Sequence, residues 1–80
     1  MTFTREQLTQ AINNITEELK NGVLKEQALI GLIDKADAGY IGLSEQEYNK
    51  AVNDLETIQA ENEKLYKWLN DFQKRLASLS

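Results

Sequence analysis

Residues 44–80 read SEQEYNKAVNDLETIQAENEKLYKWLNDFQKRLASLS and contain neither glycine nor proline. Their apolar residues recur with a seven-residue period. If Tyr48 takes position a of a heptad, that position recurs at Leu55, Asn62, Leu69 and Leu76, and position d falls at Ala51, Ile58, Leu65, Phe72 and Leu79. The pattern runs over about five heptads, more than the three or four that indicate a coiled coil. The stretch therefore predicts one long helix over about residues 45–78, which would be about 50 Å long.

Two short motifs mark where helices begin. Ser44-Glu-Gln-Glu47 precedes the long helix, and Thr4-Arg-Glu-Gln7 lies near the start of the chain. Both fit the capping box, in which the first and fourth residues satisfy each other's backbone N–H groups. After the first box, apolar residues at helical spacing form one stripe, made of Leu8, Ile12, Ile15 and Leu19. Gly22 follows this stripe and is the residue type that commonly ends a helix, so a first helix is predicted over about residues 4–21.

The middle of the chain predicts a second short helix over about residues 23–37. Its interior, residues 28–33, is apolar nearly all the way round, which suits a helix covered on several sides. Gly39 and Gly42 bracket a turn before the long helix. The predicted fold is all-α, with a short helical hairpin (about residues 4–37) folded on one coiled-coil-like C-terminal helix. Residues 1–80 form a single domain, and dimerisation would complete a helical bundle.

Composition excludes several classes of protein. The chain has no cysteine and no histidine, so disulfides and the common zinc, copper and haem ligands are absent. Thirteen acidic residues against nine basic ones give a net charge of −4, which argues against direct binding to a nucleic-acid backbone. A chain of 80 residues buries little surface and usually needs a supplementary source of stability. Self-association is the supplement that remains, and no cofactor or metal is expected.

No constellation of residues suggests catalysis. A nucleophile would have to be Ser, Thr, Lys or a carboxylate, without a histidine as base. No phosphate-binding glycine loop or calcium loop is present. Asp34 and Asp37 could share a helix face, but they are more simply read as residues of a helix end. The chain also shows neither a signal peptide nor a run long enough to cross a bilayer, so we expect a non-enzymatic, cytoplasmic protein without a membrane partner.

Asn62 interrupts the apolar seam of the long helix near its midpoint. A buried Asn at position a rejects misaligned pairings because its amide needs a partner amide. The alternative is that Asn62 lies at the exposed edge of a seam used only by helices of its own chain. We assign self-association to seven residues of the seam: Leu55, Ile58, Asn62, Leu65, Leu69, Phe72 and Leu76.

Two further groups are candidates for binding another protein. Tyr66 and Trp68 flank the seam at positions e and g, and such aromatic residues are frequent hot spots. The alternative is that they pack against the first or second helix of the same assembly. Glu47, Asp54 and Glu61 all fall at position g and line one edge of the helix at intervals of about 10 Å. This acidic row could imitate a nucleic-acid backbone, or it could simply keep the protein soluble.

Two stretches, residues 1–8 (MTFTREQL) and residues 58–65 (IQAENEKL), resemble segments of small accessory proteins from the early regions of temperate phages. The resemblance covers about a quarter of the chain and implies a non-enzymatic modulator of host machinery. We therefore expect a helical protein–protein interaction module that acts as a homodimer on an unidentified protein partner. The alternative is a small acidic inhibitor that occupies the nucleic-acid-binding groove of a host or defence enzyme.

Overall fold

The computed structural model describes residues 2–79, which form two long helices, α1 (Arg5–Asp37) and α2 (Glu45–Ser78). The helices run antiparallel, since Arg5 contacts Leu79 at one end and Asp37 contacts Tyr48 at the other. No strand occurs among the described residues, so the all-α class is confirmed. The fold is a helical hairpin with overall dimensions of 54 × 19 × 14 Å. Met1 and Ser80, which the predicted domain of residues 1–80 includes, lie outside the described residues.

The predicted division of the first half into two helices is wrong. α1 is continuous from Arg5 to Asp37, and Gly22 lies inside it with an ordinary helical backbone. Among the described glycines only Gly39 has a positive φ, of 82°. The expected short hairpin of residues 4–37 is therefore one arm of a longer hairpin. A glycine inside a helix costs about 1 kcal/mol relative to alanine, and packing of the whole helix against α2 outweighs that local cost.

The ends of both helices follow the local signals in the sequence. Both predicted capping boxes are present: Thr4 with Gln7, and Ser44 with Glu47. α1 ends at Asp37, and in the turn that follows Gly39 N–H donates to the Ala36 carbonyl and Tyr40 N–H donates to the Lys35 carbonyl. This pair of hydrogen bonds is the Schellman motif, which needs a left-handed residue such as glycine. Gly39 therefore has the role that the sequence suggested for Gly22.

Both helices bury a heptad stripe against each other. In α2 the predicted a and d positions from Tyr48 to Leu76 are all buried or half-buried. In α1 an equivalent stripe continues through the whole helix and consists of Leu8, Ile12, Ile15, Leu19, Gly22, Glu26, Leu29, Ile33 and Ala36. We call these two facing stripes the seam. Both stripes keep the seven-residue period that the sequence predicts for α2.

The seam encloses a very small core. Among the described apolar residues, only Leu8, Ile15, Leu19 and Ala51 are fully buried. The chain exposes 6195 Å², whereas a compact monomer of 9.1 kDa exposes roughly 4900 Å². Its radius of gyration is 17.4 Å, against about 11.6 Å for a compact domain of this length. The hairpin thus leaves uncovered roughly as much surface as a protein–protein interface buries on one partner.

Side chains join the helices at both ends. At the turn, the Tyr48 hydroxyl donates to Asp37 Oδ1 at 2.8 Å. That hydrogen bond, with loss of solvation and repulsion by the carboxylate, raises the pKa of Tyr48 above its usual value of about 10. At the open end, Phe3 packs edge-to-face on Phe72 with ring centroids 5.9 Å apart, and the Arg75 guanidinium lies over both rings. Arg75 Nε also lies 3.1 Å from Asp71 Oδ2, one helical turn away, in an i,i+4 ion pair.

Replacing a seam leucine should cost far more stability than replacing an outward-facing one. Leu19→Ala is expected to lower the free energy of unfolding by about 2–5 kcal/mol, because Leu19 is 5% exposed in the seam. Leu24→Ala is the matched control on the same helix and should change it by less than about 0.5 kcal/mol, because Leu24 is 57% exposed. Urea denaturation followed by circular dichroism measures both. Equal losses would contradict the packing described here.

Candidate protein-binding surfaces

A polar cluster occupies the middle of the otherwise apolar seam. Asn62 is only 4% exposed, and its Nδ2 donates to Glu26 Oε2 at 3.3 Å. Gln59 Nε2 donates to the other oxygen of the same carboxylate, Oε1, at 3.2 Å. Glu26 thus accepts one amide N–H on each oxygen. The alternative that Asn62 lies at an exposed edge is wrong; Asn62 is buried, and its partner is Glu26 of the same chain.

Gly22 makes room for this cluster. A Cβ atom added to Gly22 would overlap Oδ1 of Asn62, whereas a Cβ added to Gly31 meets nothing within 4 Å. The two helices therefore approach each other closely where Gly22 faces Asn62. The sequence offered a signal for this arrangement, since Gly22 and Glu26 continue the heptads of α1. The interpretation of Gly22 as a helix end led us to stop the heptads of α1 before Gly22.

The cluster determines the alignment of α1 and α2. If α2 slid by one heptad, Asn62 would face Ile15 or Leu29 instead of Gly22. Both side chains are too large for the available space, and neither can hydrogen-bond the amide. A buried amide without a partner costs about 1–3 kcal/mol. Asn62 therefore selects one register, which is the role expected of a polar residue at position a, although the helices it aligns belong to one chain.

The other predicted self-association residues also face α1 of the same chain. They are half-buried in the seam: Leu55, Ile58, Leu65, Leu69, Phe72 and Leu76. Their contacts with α1 account for the heptad pattern. A role for them in self-association stays a prediction.

Tyr66 and Trp68 are similarly exposed, at 53% and 55%, but they do not form one surface. They occupy positions e and g, which lie on opposite sides of the seam. Each therefore belongs to a different broad face of the hairpin.

The predicted acidic row lies on the same side as Trp68. Glu47, Asp54 and Glu61 are all exposed. The Glu47 carboxylate accepts a hydrogen bond from the Ser44 backbone N–H, so it serves partly as a helix cap. Asp54 and Glu61 line a shallow groove together with Lys25 of α1. The row is therefore interrupted by a positive charge that α2 alone could not reveal.

The two broad faces of the hairpin differ in charge. With Leu8 at position d of α1, the g positions of both helices carry six charged residues: Glu18, Lys25, Glu47, Asp54, Glu61 and Arg75. We call this the g face. The e positions form the opposite face, called the e face, which consists of Thr9, Thr16, Val23, Ile30 and Asp37 on α1 and Glu45, Val52, Gln59, Tyr66 and Gln73 on α2. Asp37 and Glu45, both beside the turn, are the two charged residues among them. Away from the turn, the e face is thus a long uncharged surface with an apolar middle.

The described residues contain no group of three or more acidic side chains placed to hold a metal ion. Neither helix combines the length and the apolar character that a membrane span needs. No protein family, no curated protein and no solved structure matches the chain. The e face and the g face are consequently the features from which function has to be argued.

The fit between Gly22 and Asn62 predicts opposite effects for two glycine substitutions in α1. Gly31→Ala should stabilise the protein by up to about 1 kcal/mol, because alanine is the better helix former and space is available. Gly22→Ala should destabilise it despite the same gain, because the new methyl group displaces the Asn62 amide. Thermal unfolding followed by circular dichroism at 222 nm measures both changes.

A double change separates this fit from other effects of the glycine. When Asn62→Ala is already present, Gly22→Ala should no longer destabilise, giving a coupling energy of at least about 1 kcal/mol. If Gly22→Ala stabilises as much as Gly31→Ala does, the close approach of Gly22 and Asn62 is not present in solution.

Proposed function

We propose that the protein is a non-enzymatic protein–protein interaction module that acts as a homodimer, in the manner of the phage accessory modulators that it resembles. The observation that carries this proposal is the surface area of 6195 Å², roughly 1300 Å² more than a compact chain of this mass exposes. Obligate homodimers typically bury 1000 Å² or more on each partner, so the excess has the size of such an interface. A second copy would turn the hairpin into a four-helix bundle.

The stability of a lone hairpin supports the same conclusion. Four fully buried apolar side chains supply little of the burial that a domain needs against its loss of conformational entropy. Part of the remaining apolar surface lies on the outer faces of the hairpin, at Leu32, Ile30, Tyr66 and Trp68. Neither disulfides nor the usual metal ligands are available in this sequence. A partner chain that covers one broad face would provide the missing burial and leave the other face for the protein target.

Dimerisation should double the molar mass measured in solution and should make the stability depend on protein concentration. Size-exclusion chromatography with light scattering is expected to give twice 9.1 kDa at micromolar concentration. The urea midpoint should rise with protein concentration, because dimerisation stabilises the folded state by mass action. A folded, cooperative monomer at high concentration, with a midpoint independent of concentration, would refute the homodimer.

The second candidate function is a small acidic inhibitor that occupies the nucleic-acid-binding groove of a host or defence enzyme. The exposed acids Glu47, Asp54 and Glu61 along one edge of α2 favour it. Lys25 in the same groove as Asp54 and Glu61 weakens it, since a positive charge interrupts the supposed backbone mimic. The homodimeric interaction module is therefore the better supported proposal.

If the protein is such an inhibitor, neutralising the acidic row of Glu47, Asp54 and Glu61 should abolish its binding to the target enzyme. A protein partner would first be captured from host lysate and identified by mass spectrometry. The triple change Glu47→Gln, Asp54→Asn and Glu61→Gln should then abolish its binding, and wild-type binding should weaken steeply with salt because exposed charge pairs are screened. Normal binding by the triple variant, with little salt dependence, would eliminate the mimic. The matched control is neutralisation of Glu6, Glu17 and Asp34, three exposed acids of α1 outside the row.

A further inference from the structure

We infer that the second copy packs on the e face, with each α1 lying against α2 of the partner. This inference rests on the proposed homodimer and assigns its face and its orientation. It leaves Trp68 and the charged g face outside the dimer, where they remain available to another protein.

The distribution of charge selects the e face. The centres of protein interfaces are depleted in charged residues, because each buried charge must be desolvated. Apart from Asp37 and Glu45 beside the turn, the e positions carry no charge, and the middle of the e face contains Val23, Ile30 and Tyr66. A dimer through the g face would bury Glu18, Lys25 and Asp54 near its centre. The e face therefore loses less solvation when a second copy covers it.

The broad face is also large enough. Dimensions of 54 × 19 Å give it a planar area of roughly 1000 Å², comparable to the about 800 Å² that each partner buries in a standard interface. The two helices of one hairpin lie side by side across the 19 Å width. A second hairpin stacked on this face therefore gives four helices that pack with their axes roughly parallel or antiparallel. That is the arrangement of a four-helix bundle.

Hydrogen bonds between the helices determine which residues lie at the same height. Arg5 is bonded to Leu79, Glu26 to Gln59 and Asp37 to Tyr48. A residue of α1 is therefore level with a residue of α2 when their numbers add up to 84 or 85. If the twofold axis runs parallel to the helices, these heights are kept between copies.

The apolar residues of the e face then interdigitate across the dimer. Ile30 lies nearly level with the partner's Val52, about 4 Å apart along the axis. Val23 lies between the partner's Gln59 and the partner's Tyr66. The four apolar residues of this face would thus meet in one continuous patch on each side of the twofold axis.

Charges beside the e face determine the orientation. Position b borders position e on its outer side, and it carries Lys20 on α1 and Glu63 on α2. With the axis parallel to the helices, Lys20 lies within about 2 Å in height of the partner's Glu63, so two ion pairs form by symmetry. Within residues 2–79 of one chain, neither residue has an ion-pair partner. The dimer would supply both.

The opposite stacking, α1 on the partner's α1 with a perpendicular axis, is less favourable. Centred on the apolar middle of the face, it would pair Lys20 with the partner's Asp34. It would also set Glu63 beside the partner's Glu56, and like charges at such a position repel. Stacking of α1 on the partner's α2 gives attraction without this repulsion. The like charges that it brings to similar heights, Asp37 and the partner's Glu45, lie beside the turn at the end of the face, where water screens them.

Tyr66 and Trp68 provide a matched pair of variants for the face. They lie two residues apart on α2, with exposures of 53% and 55% in the hairpin. Tyr66→Glu and Trp68→Glu therefore remove similarly little packing within the chain, and circular dichroism at the protein concentration of each measurement checks that the variants are helical. Only Tyr66→Glu is expected to weaken the dimer, by about 100-fold or more, because it buries two unpaired carboxylates per dimer. Analytical ultracentrifugation gives the dissociation constants.

The outcomes distinguish the face from the homodimer itself. If the wild type is a dimer and Trp68→Glu dissociates it, or Tyr66→Glu leaves it unchanged, the assignment of the interface to the e face is wrong while the proposed homodimer stands. A wild type that is monomeric at all concentrations overturns both.

A charge exchange tests the orientation. Lys20→Glu and Glu63→Lys should each weaken the dimer several-fold, up to about tenfold, because each turns two ion pairs into repulsions. The double variant, Lys20→Glu with Glu63→Lys, should restore the wild-type dissociation constant. If Glu63→Lys alone strengthens the dimer, α2 lies against the partner's α2 and the proposed orientation is wrong. Lys25→Glu on the g face is the control, and it should leave the dissociation constant unchanged.

Discussion

The rest of the hairpin depends on the close approach of Gly22 and Asn62 in the middle of the seam. The Asn62 amide occupies the space where any larger residue at position 22 would place its side chain, and it donates to the Glu26 carboxylate. Displacing α2 along α1 would bury this amide against Ile15 or Leu29, where it has no polar partner. The apolar heptads alone would permit several alignments, because each looks much like the next. One polar contact therefore selects the heights at which the turn closes and Phe3 meets Phe72.

That single alignment creates two unlike outer faces. Because Lys25 is brought beside Asp54 and Glu61, the g face becomes a mixture of both charges instead of a simple acidic track. The e positions of both helices combine into a surface that is uncharged over most of its length. A hairpin with so few buried side chains and one such surface has a physical reason to associate. The charged face, by contrast, is suited to remain in water or to meet a polar partner.

Asn62 has the aligning role that its position in the heptad suggests, but its hydrogen-bond partner differs from the one that was expected. A polar residue at position a was expected to align two copies of the chain, and it aligns two helices of one chain through Glu26. The physical reason is the same in both cases, since a buried amide is stable only in an alignment that gives it a hydrogen-bond partner. The proposed dimer joins two copies through residues outside the seam. In that dimer the e positions form an uncharged centre of the interface. The neighbouring b positions place charges of opposite sign at its edge.

Local features were predictable from the sequence because they depend on neighbours in the chain. Both capping boxes, the turn at Gly39 and the heptads of α2 involve residues a few positions apart, and the structure confirms them. The predicted helix end at Gly22 failed for the same reason. Glycine favours a helix end when only its neighbours are considered, whereas here the residue that requires glycine is Asn62, forty positions further along. The partner of Asn62, the effect of Lys25 on the acidic row, and the separation of Tyr66 from Trp68 likewise depend on how α1 lies against α2. Tertiary structure alone decided them, because they arise from contacts between residues that the sequence separates and only packing brings together.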